Sequence, residues 1–184
     1  MATLDVSAER GERIQTAIDG AGPGDVIRVG AGTYDERPVL RGKNLSVVSV
    51  EPRLAVTKGF VFPIGSGDIT LTGFRCDGGS IQYAGRGHVI EGNHVTNARV
   101  TGIGGESRRK NGRFQSDDVV IRDNLVERCQ AGIGVVGHNI TMTGNTIRRL
   151  VQHTNDDVDF VRFFGDGLRI AGNFLDGRSL RWFP

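Results

Sequence analysis

The chain has 184 residues, a formal net charge of +2 and 28 glycines, so glycine makes up about 15% of it, roughly twice the average usage. Five prolines and no Gly-X-Y period argue against both a collagen and a disordered low-complexity chain. The length suits one domain with a sizeable core, and the charge is too mild to indicate a nucleic-acid partner.

An amphipathic helix is predicted over residues 8–21. Ile14, Ala17, Ile18 and Ala21 fall on one helical face, and the run Gly20 to Pro23 ends the helix. A helix ahead of a repeated structure is typical of a terminal cap, because the first repeat would otherwise expose its core.

No leader or membrane segment is predicted. The first fifteen residues lack the apolar stretch of a secretory signal, and no run approaches the ~20 apolar residues of a membrane span. We therefore expect a soluble protein that is cytoplasmic, virion-associated or exported by another route. Cys76 and Cys129 each lie in or beside a strand-like run and are predicted to be buried free thiols rather than a disulfide framework.

Five segments repeat one pattern, which aligns on a shared position 0 occupied by Phe74, Asn93, Asn124, Asn145 and Asn173. Position −3 is apolar in every copy: Leu71, Ile90, Ile121, Met142 and Ile170. Position +2 is also apolar throughout: Cys76, Val95, Val126, Ile147 and Leu175. Position −5 is apolar in all copies except one, which has His88: Ile69, His88, Val119, Ile140 and Leu168.

The repeat predicts stacked strands with a bend at position 0. Positions −3 and +2 are an odd number of residues apart, so both face inward only if the chain bends between them. Asn suits such a bend because it tolerates left-handed backbone, and stacked Asn side chains can bond to one another as a ladder. Spacings of 19, 31, 21 and 28 residues between the position-0 residues fit a strand solenoid over residues 25–184 whose loops absorb insertions.

These features resemble the pectate-lyase-like superfamily of right-handed parallel β-helices. The opening "IQTAIDGAGPGDVIRVGAGTYDE" looks like that superfamily's capping helix and first strand, and the Asn-centred copies are similar to its coils. The resemblance implies an all-β, single-stranded right-handed parallel β-helix of about six to seven coils, with polysaccharide as the usual partner. It favours an extracellular or virion-associated protein. The run "VGHN", which contains His138, matches only part of the motif of polygalacturonase-like members.

The segment from His153 to Gly167 holds the best candidate for chemistry. If Val158 and Phe160 face inward on a strand, Asp157 and Asp159 face outward ~6.5–7 Å apart. With Asp156 they are candidate ligands for Ca²⁺, or an acid/base pair for glycosidic cleavage. Arg162 is a candidate substrate clamp or lyase base, and His153 a second proton-transfer group. The alternative is a solvated acidic turn in which Asp159 pairs with Arg162.

A basic loop is predicted to project from the coils over residues 104–116. It carries four cations that are candidates for gripping an anionic polysaccharide: Arg108, Arg109, Lys110 and Arg113. Phe114 is the one aromatic residue there, which argues against nucleic acid. A solvated basic loop without a ligand is the alternative.

The last predicted coil ends in "LDGRSLRWFP", whose Leu180, Trp182 and Phe183 either fold back as a plug or leave the end open. An open end exposes strand edges and apolar surface, so we expect a homo-oligomer or a fragment of a longer protein. The leading functional hypothesis is a lyase or glycoside hydrolase acting on an acidic polysaccharide. The rival is a non-catalytic structural or carbohydrate-binding module, such as part of a phage tail or surface assembly.

Overall fold

The computed structural model describes residues 1–153 and 157–177, with the backbone alone at Lys43. The secondary structure is almost entirely short strands with one short helix, α1 (Ile14–Gly20). The strands in chain order are β1 (Thr3–Val6), β2 (Val26–Val29), β3 (Gly32–Thr33), β4 (Lys43–Ser49), β5 (Ala55–Thr57), β6 (Phe60–Phe62), β7 (Gly67–Thr72), β8 (Arg75–Asp77), β9 (Ile81–Tyr83), β10 (Gly85–Arg86), β11 (Val89–Glu91), β12 (His94–Thr96), β13 (Thr101–Gly105), β14 (Arg109–Lys110), β15 (Arg113–Phe114), β16 (Ser116–Asp117), β17 (Val120–Arg122), β18 (Leu125–Glu127), β19 (Ala131–His138), β20 (Thr141–Thr143), β21 (Thr146–Arg148), β22 (Val161–Asp166), β23 (Arg169–Ala171) and β24 (Phe174–Asp176).

The strands stack in parallel columns. The first column runs β1, β2, β4, β7, β11, β17, β20 and β23. The second runs β3, β5, β8, β12, β18, β21 and β24. The third runs β6, β9, β13, β19 and β22. A short corner of β7, β10, β16 and the end of β19 joins the third column to the first. This arrangement confirms the predicted all-β class and is consistent with a β-helix or solenoid.

The repeat positions form the core, as predicted. The position −3 side chains of the first four copies are fully buried, and so are those at position +2. Because copies pair in register, each such residue stacks on its counterpart in the next coil; Ile90, for example, lies between Leu71 and Ile121. The two thiols are free and buried, also as predicted, and burial raises the pKa of each to about 12.

The predicted asparagine ladder is present. The Asn124 side chain accepts hydrogen bonds from the backbone N–H (3.0 Å) and the Nδ2 (3.1 Å) of Asn93. The Asn145 side chain likewise accepts from the backbone N–H and the Nδ2 of Asn124, both at 3.0 Å. The Asn173 side chain accepts from the same two groups of Asn145, both at 2.9 Å. The ladder begins at Phe74, whose backbone N–H donates to Asn93 Oδ1 at 2.9 Å. The first three asparagines are almost fully buried, so these bonds satisfy amide groups that water does not reach.

The bend itself lies one residue earlier than the sequence pattern suggests. The left-handed backbone belongs to the residue before each asparagine, with φ of 64° at Gly92, 57° at Asp123, 65° at Gly144 and 62° at Gly172. The asparagines therefore serve as buried hydrogen-bonding groups, and the preceding glycine or aspartate makes the turn.

The N-terminal region differs from the prediction in two ways. The helix covers Ile14–Gly20 instead of residues 8–21, since the chain turns over residues 8–11 and Gly11 has a φ of 69°. A strand that the sequence analysis missed, β1, precedes the helix and pairs in parallel with β2. Ile14 and Ile18 are buried against the core. No helix in the described part of the chain is long and apolar enough to cross a membrane.

Candidate functional site

The predicted acidic segment lies just before β22 rather than on a strand. Asp157 and Asp159 precede the first strand residue, Val161. The carboxylate of Asp159 accepts hydrogen bonds from Nε (2.8 Å) and an amino group (2.5 Å) of Arg162. This ion pair is the arrangement expected of the solvated-turn alternative, and the catalytic roles of the three residues stay predictions.

The Gln130 side chain forms hydrogen bonds to the backbone of both His153 and Asp157. Its Oε1 accepts a hydrogen bond from the backbone N–H of His153, and its Nε2 donates to the carbonyl of Asp157 at 3.5 Å. The His153 ring is exposed, with Nε2 3.4 Å from the carbonyl of Arg128. The structure therefore places His153 and Asp157 near one side chain, and a proton-transfer role for His153 stays a prediction.

The structure describes only part of the predicted calcium site. Within residues 1–153 and 157–177, no three His, Cys, Asp or Glu side chains come together as metal ligands. The Asp159 carboxylate is already engaged by Arg162. Asp156, the third predicted ligand, lies outside the described residues. Calcium binding stays a prediction.

The predicted basic loop is a short hairpin. Strands β14 and β15 pair with each other in antiparallel fashion and with no other described strand. The Arg109 guanidinium lies over the Phe114 ring, 4.3 Å from its centroid. Arg108 forms an ion pair of 2.8 Å with Glu106. Pairing and ring stacking give the predicted loop a defined shape.

An open groove lies on each side of this hairpin. The side groove has a volume of about 560 Å³ and includes Gln82, Thr101, Gly104, Glu106 and Arg108. The hairpin groove has a volume of about 770 Å³ and includes Arg86, Lys110, Arg113, Phe114, Asp117 and His138. Three of the four cations predicted to bind substrate therefore line grooves, and the fourth, Arg109, stacks on Phe114.

The hairpin groove contains a histidine–carboxylate pair. His138 Nδ1 lies 2.6 Å from Asp166 Oδ1, and the two residues are in register on β19 and β22. Asp117 is in register with His138 on the other side, and Arg86 with Asp117. Arg86 also approaches Asp118 at 3.8 Å. One row of neighbouring strands thus carries a guanidinium, a carboxylate, an imidazole and a second carboxylate.

Two buried polar atoms of this groove lack partners. In the described part of the chain three buried side-chain nitrogen or oxygen atoms make no hydrogen bond, and two of them are His138 Nε2 and Ser116 Oγ. Both residues line the hairpin groove. An unpaired buried polar atom costs about 1–3 kcal/mol, so such atoms are uncommon and call for an explanation.

The sequence analysis missed this row, although a signal for it was present. Arg86, Asp117, His138 and Asp166 all lie seven residues before a position-0 asparagine, so they share one repeat position. The apolar pattern that defines the repeat ends at position −5. Extending it by two residues places the four polar side chains in one row on adjacent strands.

Comparisons with known proteins are sparse. No known family matches the chain, and no curated protein matches it. One solved structure, an alginate lyase from Paenibacillus sp. str. FPU-7, is similar over 98% of this chain and 99% of that chain, with 16% identity and a TM-score of 0.29. At that TM-score the similarity carries no argument about fold or function.

Proposed function

We propose that this protein is a right-handed parallel β-helix of about six to seven coils, capped at its N-terminal end by α1, that binds an acidic polysaccharide in the hairpin groove. The observation that carries the proposal is the placement of Lys110 and Arg113 in this groove. Both residues were expected from sequence to grip an anionic polymer.

The composition of the hairpin groove suits a charged sugar chain. Its lining includes three cations, Arg86, Lys110 and Arg113, and two carboxylates, Asp68 and Asp117. Guanidinium and ammonium groups bind carboxylates by charge-assisted hydrogen bonds. Asn111 and Gln115 add amide donors and acceptors for hydroxyl groups, and Phe114 offers an apolar ring surface.

Binding is common to both functional hypotheses, the enzyme and the non-catalytic module, so it is the first property to test. A uronate polymer such as polygalacturonate or alginate is titrated into the protein at low ionic strength, with neutral dextran as a control. We expect binding of a uronate polymer that weakens as salt is added, because exposed charges are screened over about 8–10 Å at physiological ionic strength.

The double variant Lys110→Ala/Arg113→Ala should weaken that binding by about tenfold or more. The matched control is Arg28→Ala/Arg169→Ala, which removes two exposed cations from the outer face of the first column. Its affinity should stay within about twofold of the wild type. No binding to any uronate polymer, or equal binding to dextran, would contradict the proposal.

A further inference from the structure

We infer that His138 is the general base of a lyase reaction, and that it takes the proton from C5 of a uronate residue bound in the hairpin groove. This inference rests on the proposed function, because it requires a uronate polymer in that groove. It assigns the chemistry to the row of Arg86, Asp117, His138 and Asp166, and not to the acidic segment before β22.

The hydrogen-bonding of His138 prepares it to accept a proton. A carboxylate only accepts hydrogen bonds, so the Asp166 oxygen 2.6 Å from Nδ1 holds the hydrogen of the neutral ring on Nδ1. Nε2 then carries a lone pair. That lone pair has no partner in the structure, although Nε2 is buried. An oriented imidazole with a vacant acceptor is the arrangement that general-base catalysis needs.

The surrounding cations can neutralise the carboxylate of the substrate. Removal of a proton from the carbon next to a carboxylate builds negative charge on that carboxylate, and nearby cations stabilise it. Arg86 lies two strands from His138 along the row, about 9–10 Å between backbones, a span that accommodates one sugar ring. Lys110 and Arg113 line the same groove from the hairpin.

The step balances within the protein and its substrate. Nε2 accepts the C5 proton, the C5–H electron pair becomes the C4=C5 double bond, and the bond from C4 to the glycosidic oxygen breaks. The departing oxygen takes the proton back from Nε2, so the imidazole ends neutral. The products are a chain with an unsaturated uronate end and a chain with a new hydroxyl.

The hairpin lies close to the His138 ring. The Phe114 ring lies 6.2 Å from the His138 ring, and Arg109 stacks against Phe114. Because the hairpin strands pair only with each other among the described strands, a displacement of the hairpin would break no strand pairing of the columns. We expect a substrate to reach Nε2 when the hairpin moves aside.

The test measures binding and turnover on the same proteins. Each uronate polymer of the panel is incubated with the protein, and the ultraviolet absorbance of the C4=C5 product is followed. His138→Gln should lower kcat by about 100-fold or more while polymer affinity stays within about threefold.

Asp166, whose side chain is 77% exposed, can be changed without loss of the fold. Asp166→Asn should lower kcat by about tenfold with KM unchanged, since it removes the group that orients the ring.

The control is His94→Gln, which removes an imidazole of the second column that pairs with Glu127 at 3.0 Å. Its turnover should match the wild type. Polymer binding without unsaturated product from any polymer, or full activity in a folded His138→Gln protein, would overturn this inference and leave the proposed function standing. Absence of binding would overturn both.

Discussion

His88 is a fully buried histidine whose neighbours hold it in the neutral form. The Ala84 carbonyl lies 2.8 Å from Nε2, and the Ile69 backbone N–H donates to Nδ1 at 3.3 Å. Ser66 Oγ is 3.2 Å from Nε2, and the Phe62 ring packs edge-on. A second proton on Nδ1 would face the Ile69 N–H. Burial accordingly lowers the pKa of His88 from its ordinary value, opposed in part by the hydrogen bond to Ala84.

This lowered pKa predicts a loss of stability in mild acid. The unfolded chain binds a proton on His88 near pH 6.5, and the folded protein binds it only at lower pH. The stabilisation is therefore fully present above about pH 6.5 and is lost as the pH falls from there through the folded pKa, by up to about 1.4 kcal/mol per pH unit. Denaturant unfolding at several pH values between about 5 and 8 measures it.

His88→Gln provides the comparison, because glutamine offers a donor and an acceptor without titrating in this range. We expect the variant to show a smaller loss of unfolding free energy between pH 7.5 and 5.5 than the wild type. Equal losses in the two proteins would show that His88 does not cause the pH dependence. Burial also lowers the pKa of His94, and this effect contributes equally to the pH dependence of the wild type and of the His88→Gln variant.

Strand β19 contains two glycines, Gly132 and Gly134, that differ in how much space surrounds them. Gly132 donates its N–H to the carbonyl of Asp159 at 2.8 Å, and a Cβ there would lie 2.2 Å from the carbonyl oxygen of Phe160. At Gly134, two residues along, a Cβ would meet nothing nearer than 3.6 Å. Neither residue has a left-handed φ, so the contrast between them is one of space alone.

The two glycines should therefore respond differently to the same change. Gly132→Ala forces the segment before β22 away from the coil below, and we expect it to lower the free energy of unfolding by about 1–3 kcal/mol or more. Gly134→Ala should leave that free energy unchanged or raise it by up to about 1 kcal/mol, because alanine restricts the unfolded chain. Denaturant titration of both variants checks this, and equal free energies of unfolding for the two variants would contradict the prediction.

At the scale of the whole molecule, the last described coil presents core-type residues to the outside. Phe163 is in register with the buried Val135, Ile170 with Met142, and Leu175 with Ile147. Their exposed fractions are 62%, 41% and 48%, while their partners in the coil below are fully buried. Exposed apolar surface of this kind favours association.

We predict that this surface causes self-association with a second copy of the chain. Light scattering at micromolar concentration should give a mass above that of one chain, and Phe163→Ser/Leu175→Ser should shift it toward the monomer. Val50→Ser/Leu54→Ser, which changes two exposed apolar residues elsewhere, is the control and should not alter the mass. A monomeric wild-type protein would contradict the prediction.

The site was predicted from sequence less well than the fold. Lys110, Arg113 and Arg108 were recognised as candidate ligands, because four cations without an apolar period indicate an exposed segment. The sequence did not indicate that Lys110 and Arg113 line the same groove as His138. Asp159 and Arg162 lie three residues apart, and their ion pair was among the alternatives considered.

The sequence by itself determined the stacked parallel strands, the inward rows and the asparagine ladder. These features depend on a local pattern of apolar residues and asparagines that recurs with each coil. Burial favours the one strand register in which residues of the same repeat position stack on one another. Only the tertiary structure decided which polar side chains meet. Asp117, His138 and Asp166 share one repeat position and stack in register, but Lys110 and Arg113 line the same groove as His138 only because of how the hairpin packs, which no repeat position encodes. The turn position, the short helix and the hairpin fold were likewise set by backbone geometry and packing that the residue pattern does not encode.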